Sequence, residues 1–232
     1  MKMKQLSILS LICLVVTILW LVSLIASMVD AGTMETYEQV LAHVSKVNIL
    51  FYLTYTNAAL ITMAAVMLFA GLYLHYKSIA PIWAFLGIIF VPIYGTMNLL
   101  VYLSQITVVP RLLKLQTIPE YNILARFLLQ QVIQQWHDSA VWVINNLAYA
   151  VLGVPSIVFG LLMFQSIPVL RLGGILLSLS GLASLVGFIG IVAQNEWISN
   201  GSLIGGILFL LALVCMSCGF SREKSFNRLT NN

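Results

Sequence analysis

Long apolar runs alternate with short polar stretches along the whole chain. Six runs of about 20 or more mostly apolar residues are each long enough for an α-helix to cross about 30 Å of hydrocarbon. The predicted spans lie at about residues 6–29, 47–74, 81–109, 139–165, 170–194 and 201–220. Because lipid offers the backbone no hydrogen-bond partners, these spans must be helices. The sequence therefore predicts an all-α, polytopic bundle of six transmembrane helices.

Two connections between the predicted spans are longer than a turn, residues 30–46 and 110–138. Neither is long enough to fold around a core of its own, so we predict a single transmembrane domain over residues 1–232. After Pro119, apolar residues follow helical spacing at Tyr121, Ile123, Leu124, Phe127, Leu128 and Val132. This pattern predicts a short amphipathic helix over 120–136, which lies on the outer membrane surface or covers the bundle. A plain helical linker into the fourth span fits the pattern equally well.

Prolines and glycines modify this simple bundle. Pro92 and Pro155 each lack the N–H group that a helix interior needs, and they predict kinks in the third and fourth spans. Gly201 and Gly205 form a Gly-x-x-x-Gly pair in a region rich in small residues. Small residues let helix backbones approach closely, so we expect the last two spans to pack tightly on each other.

The composition excludes an ordinary soluble domain. Hydrophobic residues make up 61% of the 232 residues, and charged residues make up only 8%. A soluble domain carries roughly 25% charged residues. With so few charges, a water-soluble fold of this length could not cover its surface.

The placement of charged residues predicts the orientation of the bundle. With the N-terminus inside, seven of the eleven basic residues face the cytoplasm: Lys2, Lys4, Lys77, Arg171, Arg222, Lys224 and Arg228. Six of the seven acidic residues then lie outside, and Glu223 alone lies inside. Because cytoplasmic segments collect Lys and Arg, we predict a multi-pass cell-membrane protein with both termini in the cytoplasm. The net charge of +4 indicates contact with membrane lipids rather than binding of nucleic acid.

Neutral polar residues form stripes along the central spans. The third span carries Tyr94, Asn98, Tyr102 and Gln105 at steps of four, four and three, which places them on one helical face. The fourth span repeats the stripe with Trp142, Asn145 and Tyr149, with Asn146 beside it, and Tyr55 adds to it from the second span. In the predicted topology all three stripes lie in the outer half of the bilayer or near its middle. These nine residues are therefore the predicted lining of an outward-opening, ligand-binding cavity.

The stripes also have a purely structural interpretation, in which they only join helices. Asn, Gln and Tyr inside membranes often serve only as hydrogen-bond glue between helices. Three functions follow from these alternatives. The first is binding or sensing of a small neutral or amphiphilic molecule, such as a lipid. The second is a structural or accessory subunit that meets a partner membrane protein, and the third is a membrane enzyme that acts on a lipid-like substrate.

The sequence offers little support for catalysis, metals or cofactors. His137, Asp138 and Ser139 are the residue types of a hydrolase triad, but triads are assembled from positions distant in sequence. Cys215 and Cys218 form a single Cys-x-x-Cys pair without the second pair of a zinc site. No charged residue lies well inside a span, which disfavours ion-coupled transport. We therefore predict no catalytic residue, no metal and no cofactor.

Two segments resemble a known group of proteins. The stretch Phe90-Val-Pro-Ile-Tyr-Gly-Thr-Met-Asn98 and the closing segment from Gly187 to Phe220 are similar to small, uncharacterised six-span membrane proteins of bacteria and archaea, grouped as a domain of unknown function. The resemblance implies a six-span fold in a prokaryotic cell membrane. It implies no activity and no functional residue.

Overall fold

A computed structural model describes the backbone of residues 3–29 and 32–229, and it describes side chains as far as residue 222. Five of the charged residues that enter the topology prediction lie outside the side chains so described: Lys2, Asp30, Glu223, Lys224 and Arg228.

The described chain is helical, with eleven α-helices and no strand. The helices are α1 (Met3–Met28), α2 (Tyr37–Val44), α3 (Ile49–Tyr76), α4 (Pro81–Ile88), α5 (Val91–Thr107), α6 (Val109–Gln116), α7 (Asn122–Val132), α8 (Ala140–Leu162), α9 (Pro168–Val192), α10 (Glu196–Ser199) and α11 (Gly201–Leu229). Two 3₁₀ turns lie at Pro119–Tyr121 and Met163–Gln165. Six helical segments are long and apolar enough to cross a membrane. The prediction of an all-α bundle with six spans is therefore confirmed, and the chain is a multi-pass membrane protein.

The third span is interrupted where the sequence has prolines. Its helical segment covers Pro81–Gln116, but α4 ends at Ile88 and α5 begins at Val91, one residue before Pro92. A second interruption precedes α6, where Pro110 lies in the first turn. Proline has no N–H group for the helical hydrogen bond, so a new helix starts at each of these points more readily than an old one continues. In contrast, α8 remains helical through Pro155.

The sequence-based prediction missed three short helices, α2, α6 and α10. In α2, the backbone nitrogen of Gln39 donates to Thr36 Oγ1, and Gln39 Oε1 accepts from the backbone nitrogen of Thr36. This reciprocal arrangement is a capping box, which the Thr-x-x-Gln spacing could have indicated. In α10, Asn195 Oδ1 accepts from the backbone nitrogen of Ile198 and caps the start of the helix through this one bond.

The predicted amphipathic helix is present as α7, but it is shorter than 120–136. The helix ends at Val132, because the backbone of Ile133 adopts an extended conformation. Ala125 and Leu129 form its buried side. The apolar residues expected to contact the bundle or the membrane, Tyr121, Leu124, Phe127 and Leu128, are exposed. They remain available for the membrane surface, which is one of the two contacts predicted for them.

The chain forms two compact units, and each long central helix contributes to both. Unit A contains Met1–Val15, Met63–Gly95 and Asn146–Asn232, and unit B contains Val16–Thr62 and Thr96–Asn145.

Unit A is packed through small residues. A Cβ atom added at Gly153 in α8 would lie 2.6 Å from the Gly181 carbonyl oxygen in α9. One added at Gly201 in α11 would meet the Ala183 carbonyl and the backbone of Gly187. Because glycine alone has no Cβ, the backbones of these helices can approach closely. The expected tight packing of the last two spans is therefore present between α9 and α11.

Unit B contains both long connections and is built around a shared apolar core. Buried residues of the core come from α2 (Val40, Leu41, Val44), α3 (Phe51, Tyr55), α5 (Val101, Tyr102), α7 (Leu129) and the segment that follows it (Ile133, Trp136). Helices α2 and α7 of the connections thus pack on the transmembrane helices. Within unit B, this packing positions the site described next.

Candidate binding cavity

The predicted stripes are buried inside the protein, not turned toward lipid. Asn98 and Gln105 are fully buried, and Tyr55, Tyr94, Tyr102, Asn145 and Asn146 are buried as well. Trp142 and Tyr149 are partly buried. Tyr94, Asn146 and Tyr149 belong to unit A, and the other six belong to unit B.

Aromatic contacts join the predicted residues in pairs within each unit. The ring centroids of Tyr94 and Tyr149 are 6.3 Å apart in unit A. Those of Tyr55 and Tyr102 are 6.5 Å apart in unit B. These pairs show that the stripes meet across neighbouring helices. Contact of this kind suits both packing and the wall of a site, so ligand binding by these residues remains a prediction.

Gln105 acts as a structural link between α5 and the end of α7. Its Nε2 donates to the Val132 carbonyl oxygen at 2.8 Å, and its Oε1 accepts from the backbone nitrogen of Gln134 at 3.1 Å. The Val132 carbonyl lies in the last turn of α7, where carbonyl groups have no hydrogen-bond partner within the helix. Gln105 therefore fixes the chain just before Gln135.

Asn98 and Asn145 behave differently from Gln105. Both side-chain polar atoms of Asn98, and the Oδ1 of Asn145, are buried without a hydrogen-bond partner in the described part of the chain. A buried polar group without a hydrogen-bond partner lowers the stability of the folded protein by about 1–3 kcal/mol. If these amides served only to join helices, their atoms would form hydrogen bonds to neighbouring helices. In the described structure, no hydrogen bond joins these amide atoms to a neighbouring helix.

Unit B also contains a partly open cavity of about 170 Å³, which we call the α3 cavity. Its lining residues are Ala26 and Ser27 at the end of α1, His43 in α2, Lys46 after it, Asn48, Leu50, Phe51, Thr54 and Tyr55 at the start of α3, and Gln135 after α7. Of the nine predicted binding residues, all of which are described, only Tyr55 lines this cavity.

Three residues that line the α3 cavity also carry a buried polar atom without a hydrogen-bond partner in the described chain. His43 Nδ1, Thr54 Oγ1 and Gln135 Oε1 are all buried and have no hydrogen-bond partner among the described residues. Thr54 itself is only 5% exposed. Native proteins leave few buried polar atoms unpaired. The cavity far exceeds the roughly 10–15 Å³ that one water needs, so it has room for water or a small molecule beside these residues.

The start of α3 forms one wall of the cavity. Asn48 caps this helix, since its Oδ1 accepts from the backbone nitrogen of Phe51 at 3.0 Å. The N-terminal end of a helix carries partial positive charge. Lys46 is the only charged residue among the described residues that line the cavity. The polar side of the site is therefore electropositive, and Leu50 and Phe51 add apolar surface.

The imidazole of His43 is neutral at pH 7. Burial lowers its pKa below the usual value, and the positive charge of Lys46 lowers the pKa further. A neutral imidazole can donate through one ring nitrogen and accept through the other. His43 can therefore bind a polar ligand without adding a second charge to the site.

Contacts between α2 and α7 hold His43 at the cavity. The Tyr37 hydroxyl donates to the Arg126 carbonyl oxygen at 3.2 Å. Its ring meets that of Trp136 edge to face, with centroids 5.6 Å apart. Glu38 and Arg126 form an exposed ion pair. Burial raises the pKa of Tyr37, and the nearby Arg126 partly opposes this rise. The hydroxyl therefore stays protonated and keeps its donor role.

Sequence reasoning missed most of the α3 cavity because its residues come from connections and helix ends. His43, Lys46 and Gln135 lie outside the predicted stripes, and Thr54 is one residue before the predicted Tyr55. The sequence did contain one usable signal: Asn48 followed by a long apolar run is a typical helix N-cap. That signal locates the start of the helix but does not show which connection folds over it.

The groups considered for catalysis and metal binding serve elsewhere or lie at the surface. Ser139 is buried and caps α8, where its Oγ accepts from the backbone nitrogen of Trp142 at 3.0 Å. His137 and Asp138 are exposed, and His137 Nε2 lies 3.6 Å from Asp138 Oδ2. No group of three His, Cys, Asp or Glu side chains that could hold a metal occurs among the described residues.

No protein-family model, curated protein or solved structure matches this chain. The resemblance to six-span prokaryotic membrane proteins therefore remains a prediction, and the function has to be inferred from the site itself.

Proposed function

We propose that this chain is a multi-pass cell-membrane protein that binds a small neutral or amphiphilic molecule in the α3 cavity. The observation that carries the proposal is a cavity with polar and apolar lining residues, three of which, His43, Thr54 and Gln135, also carry a buried polar atom without a hydrogen-bond partner in the described chain. A concave site with a few convergent polar groups and apolar walls is the usual form of a small-molecule site.

The predicted stripe supports the same function. Asn98 and Asn145 also have unmet buried amide atoms, and both belong to unit B with the cavity. Tyr55 belongs to the stripe and lines the cavity. We therefore retain the six predicted residues of unit B as part of the proposal, with Gln105 as a residue that positions the chain around the site.

The charge distribution supports an outward-facing site with cytoplasmic termini. All ten lining residues come from the end of the first span, the two long connections or the start of the second span. The predicted topology places these segments outside. Small molecules would then enter from the outer side of the cell membrane.

Native mass spectrometry of the full chain, extracted from its membrane in a mild detergent, tests the proposal. We expect a bound small molecule on the wild-type protein. Thr54→Val keeps the side-chain shape and removes the unmet hydroxyl, so it should lose that molecule. Since this hydroxyl has no protein partner, the variant should not be less stable without ligand.

Thr62→Val is the matched control, because Thr62 lies in the same helix but donates to the Ala58 carbonyl oxygen at 3.0 Å. It should keep the bound molecule. The absence of any bound molecule on the wild-type protein, or equal occupancy in Thr54→Val, would contradict the proposal.

The second candidate is a structural or accessory subunit that meets a partner membrane protein. Gln105 favours it, since this member of the stripe is fully used in hydrogen bonds within the protein. An apolar groove of about 410 Å³ in unit A offers a surface for a partner, lined in part by Leu182, Trp197 and Ile204. This function predicts that the unmet amides affect assembly or stability, not ligand binding.

A further inference from the structure

We propose that helices α6 and α7 carry a second interaction surface, which docks on the surface of the lipid bilayer and anchors the connection 110–138 there. This surface, which we call the α6–α7 patch, consists of exposed residues: Arg111 and Lys114 in α6, and Ile123, Leu124, Phe127 and Leu128 in α7. None of the six lines the α3 cavity, so the inference goes beyond the proposed function.

Helix α7 has two apolar sides, and the described chain covers only one of them. Leu129 belongs to the buried core of unit B. Successive residues of a helix are rotated by about 100°, so Leu124 and Phe127 point about 140° and 160° away from Leu129. Leu124 is 57% exposed, Phe127 59% and Ile123 85%. A contiguous apolar surface of this kind marks a contact with a partner or a membrane.

The position of α7 indicates which of these contacts it makes. Gln105, two residues before α5 ends at Thr107, donates to the Val132 carbonyl oxygen at 2.8 Å. Leu129 in α7 and Tyr102 in α5 belong to the same buried core. Since α5 is part of the third span, α7 packs beside the end of a helix that crosses the bilayer. Its exposed apolar side therefore lies at the level of the bilayer surface, where it meets lipid.

The exposed side of α6 adds the charge that suits a lipid surface. Arg111 and Lys114 are three positions apart and lie on one helical face, and Leu115 is exposed between them. Glu120 is the one acidic residue between positions 109 and 132, all of which the structure describes. Basic side chains beside an apolar helix face reach the headgroup phosphates while the apolar residues enter the boundary of the acyl chains.

Spin labels in the full-length protein test this docking. In a background with the three cysteines replaced by serine, a nitroxide is attached to Leu124→Cys or Phe127→Cys. The protein is placed in nanodiscs of phosphatidylcholine mixed with phosphatidylglycerol. Relaxation of each label by oxygen, which concentrates in hydrocarbon, is compared with relaxation by a neutral nickel chelate, which stays in water. Glu35→Cys is the control, because Glu35 is exposed in the polar segment before α2.

The ratio of oxygen to nickel relaxation should be several-fold higher for the labels at Leu124 and Phe127 than for the label at Glu35. Ratios equal to that of Glu35 would place the patch in water and overturn the proposal. Weak relaxation by both reagents would show that a protein partner or a second copy covers the patch, which would overturn it as well.

The basic residues have a test of their own. Arg111→Gln combined with Lys114→Gln should lower the relaxation ratio at Phe127, because each basic residue near an anionic surface strengthens association by about fivefold. Lys4→Gln combined with Lys77→Gln removes the same charge from unit A and should leave the ratio unchanged. All four positions are exposed, so both double variants should fold as the wild type does. Equal ratios in the two double variants would overturn the contact of α6 with the headgroups.

Discussion

The backbone nitrogen of Gln134 donates a 3.1 Å hydrogen bond to the side chain of Gln105, which lies 29 positions earlier in the chain. Gln105, in α5, also donates to the Val132 carbonyl oxygen. Together the two bonds fix the segment that contains Gln135, which lines the α3 cavity. A polar residue of a membrane span thus determines the position of a connection.

Gln105→Leu should destabilise the protein by about 1–3 kcal/mol, because the Val132 carbonyl and the Gln134 N–H would lose their partner. Hydrogen exchange should rise at residues 132–136, next to the cavity. Thermal unfolding and hydrogen-exchange mass spectrometry in detergent measure both effects. Unchanged stability and exchange would show that these bonds do not hold the segment.

Asn98→Leu should have the opposite effect on the ligand-free protein. Asn98 is fully buried and neither polar atom of its side chain has a partner in the described structure. Replacing an unmet amide with an apolar side chain of similar size removes a desolvation cost, so the unfolding midpoint should stay the same or rise. A clear loss of stability would favour the accessory-subunit function, in which this amide joins helices. The contrast with Gln105→Leu controls for the loss of a buried amide as such.

Gln105 and Asn98 also show how far the sequence determines the site. Helical spacing predicts that both lie on one helical face, because it depends only on the 3.6-residue period, and both side chains are fully buried. The spacing could not distinguish a bonded amide from an unmet one. That difference depends on where α7 ends and how residues 133–139 return to α8, and these are tertiary contacts without a local signal.

The same limit explains the missed helices and the interrupted third span. Six spans followed from apolar run length, because the membrane imposes one length on every span. Pro92 indicated an interruption, but whether proline ends a helix or is absorbed, as Pro155 is in α8, depends on the surrounding packing.

His43 should make the protein less stable in mild acid. Its pKa is lowered in the folded state by burial first and by Lys46 second. An unfolded histidine titrates near pH 6.5, so below that value the unfolded chain binds the proton more readily than the folded protein does. The stability that His43 contributes is present above about pH 6.5 and is lost as the pH falls from there through its folded pKa.

Thermal unfolding in detergent between about pH 7.5 and pH 5.5 measures this effect. The midpoint of the wild-type protein should fall, and His43→Gln should show a smaller fall because a neutral side chain does not titrate. His137→Gln, at an exposed position, is the control and should follow the wild type. An equal fall in His43→Gln would assign the pH dependence to other groups.

Gly201→Ala should loosen or unfold the packing of α9 against α11. Its Cβ would meet the Ala183 carbonyl and the backbone of Gly187, and backbone atoms cannot move aside as a flexible side chain can. We expect a loss of stability of about 1–3 kcal/mol, the usual cost of overpacking. Thermal unfolding in detergent measures it.

Gly206→Ala is the matched control in the same helix. A Cβ there has nothing within 4 Å, so the change adds helix propensity without a clash. The variant should be as stable as the wild type or more stable by about 0.5–1 kcal/mol. If both alanine variants behaved alike, close approach at Gly201 would not be the reason for its glycine.

The proposed topology predicts which single cysteines a membrane-impermeant maleimide can reach in intact cells. Ser78 is exposed in the turn after α3, and Thr117 is exposed after α6. In a background with Cys13, Cys215 and Cys218 replaced by serine, Thr117→Cys should react from outside. Ser78→Cys should react only after the cells are permeabilised, because the proposed topology puts its turn on the cytoplasmic side. The two positions flank the third span, so a single crossing separates them and each serves as the other's control.

Reaction of Ser78→Cys in intact cells, with Thr117→Cys protected, would reverse the orientation and turn the α3 cavity toward the cytoplasm. The ligand would then have to come from inside the cell.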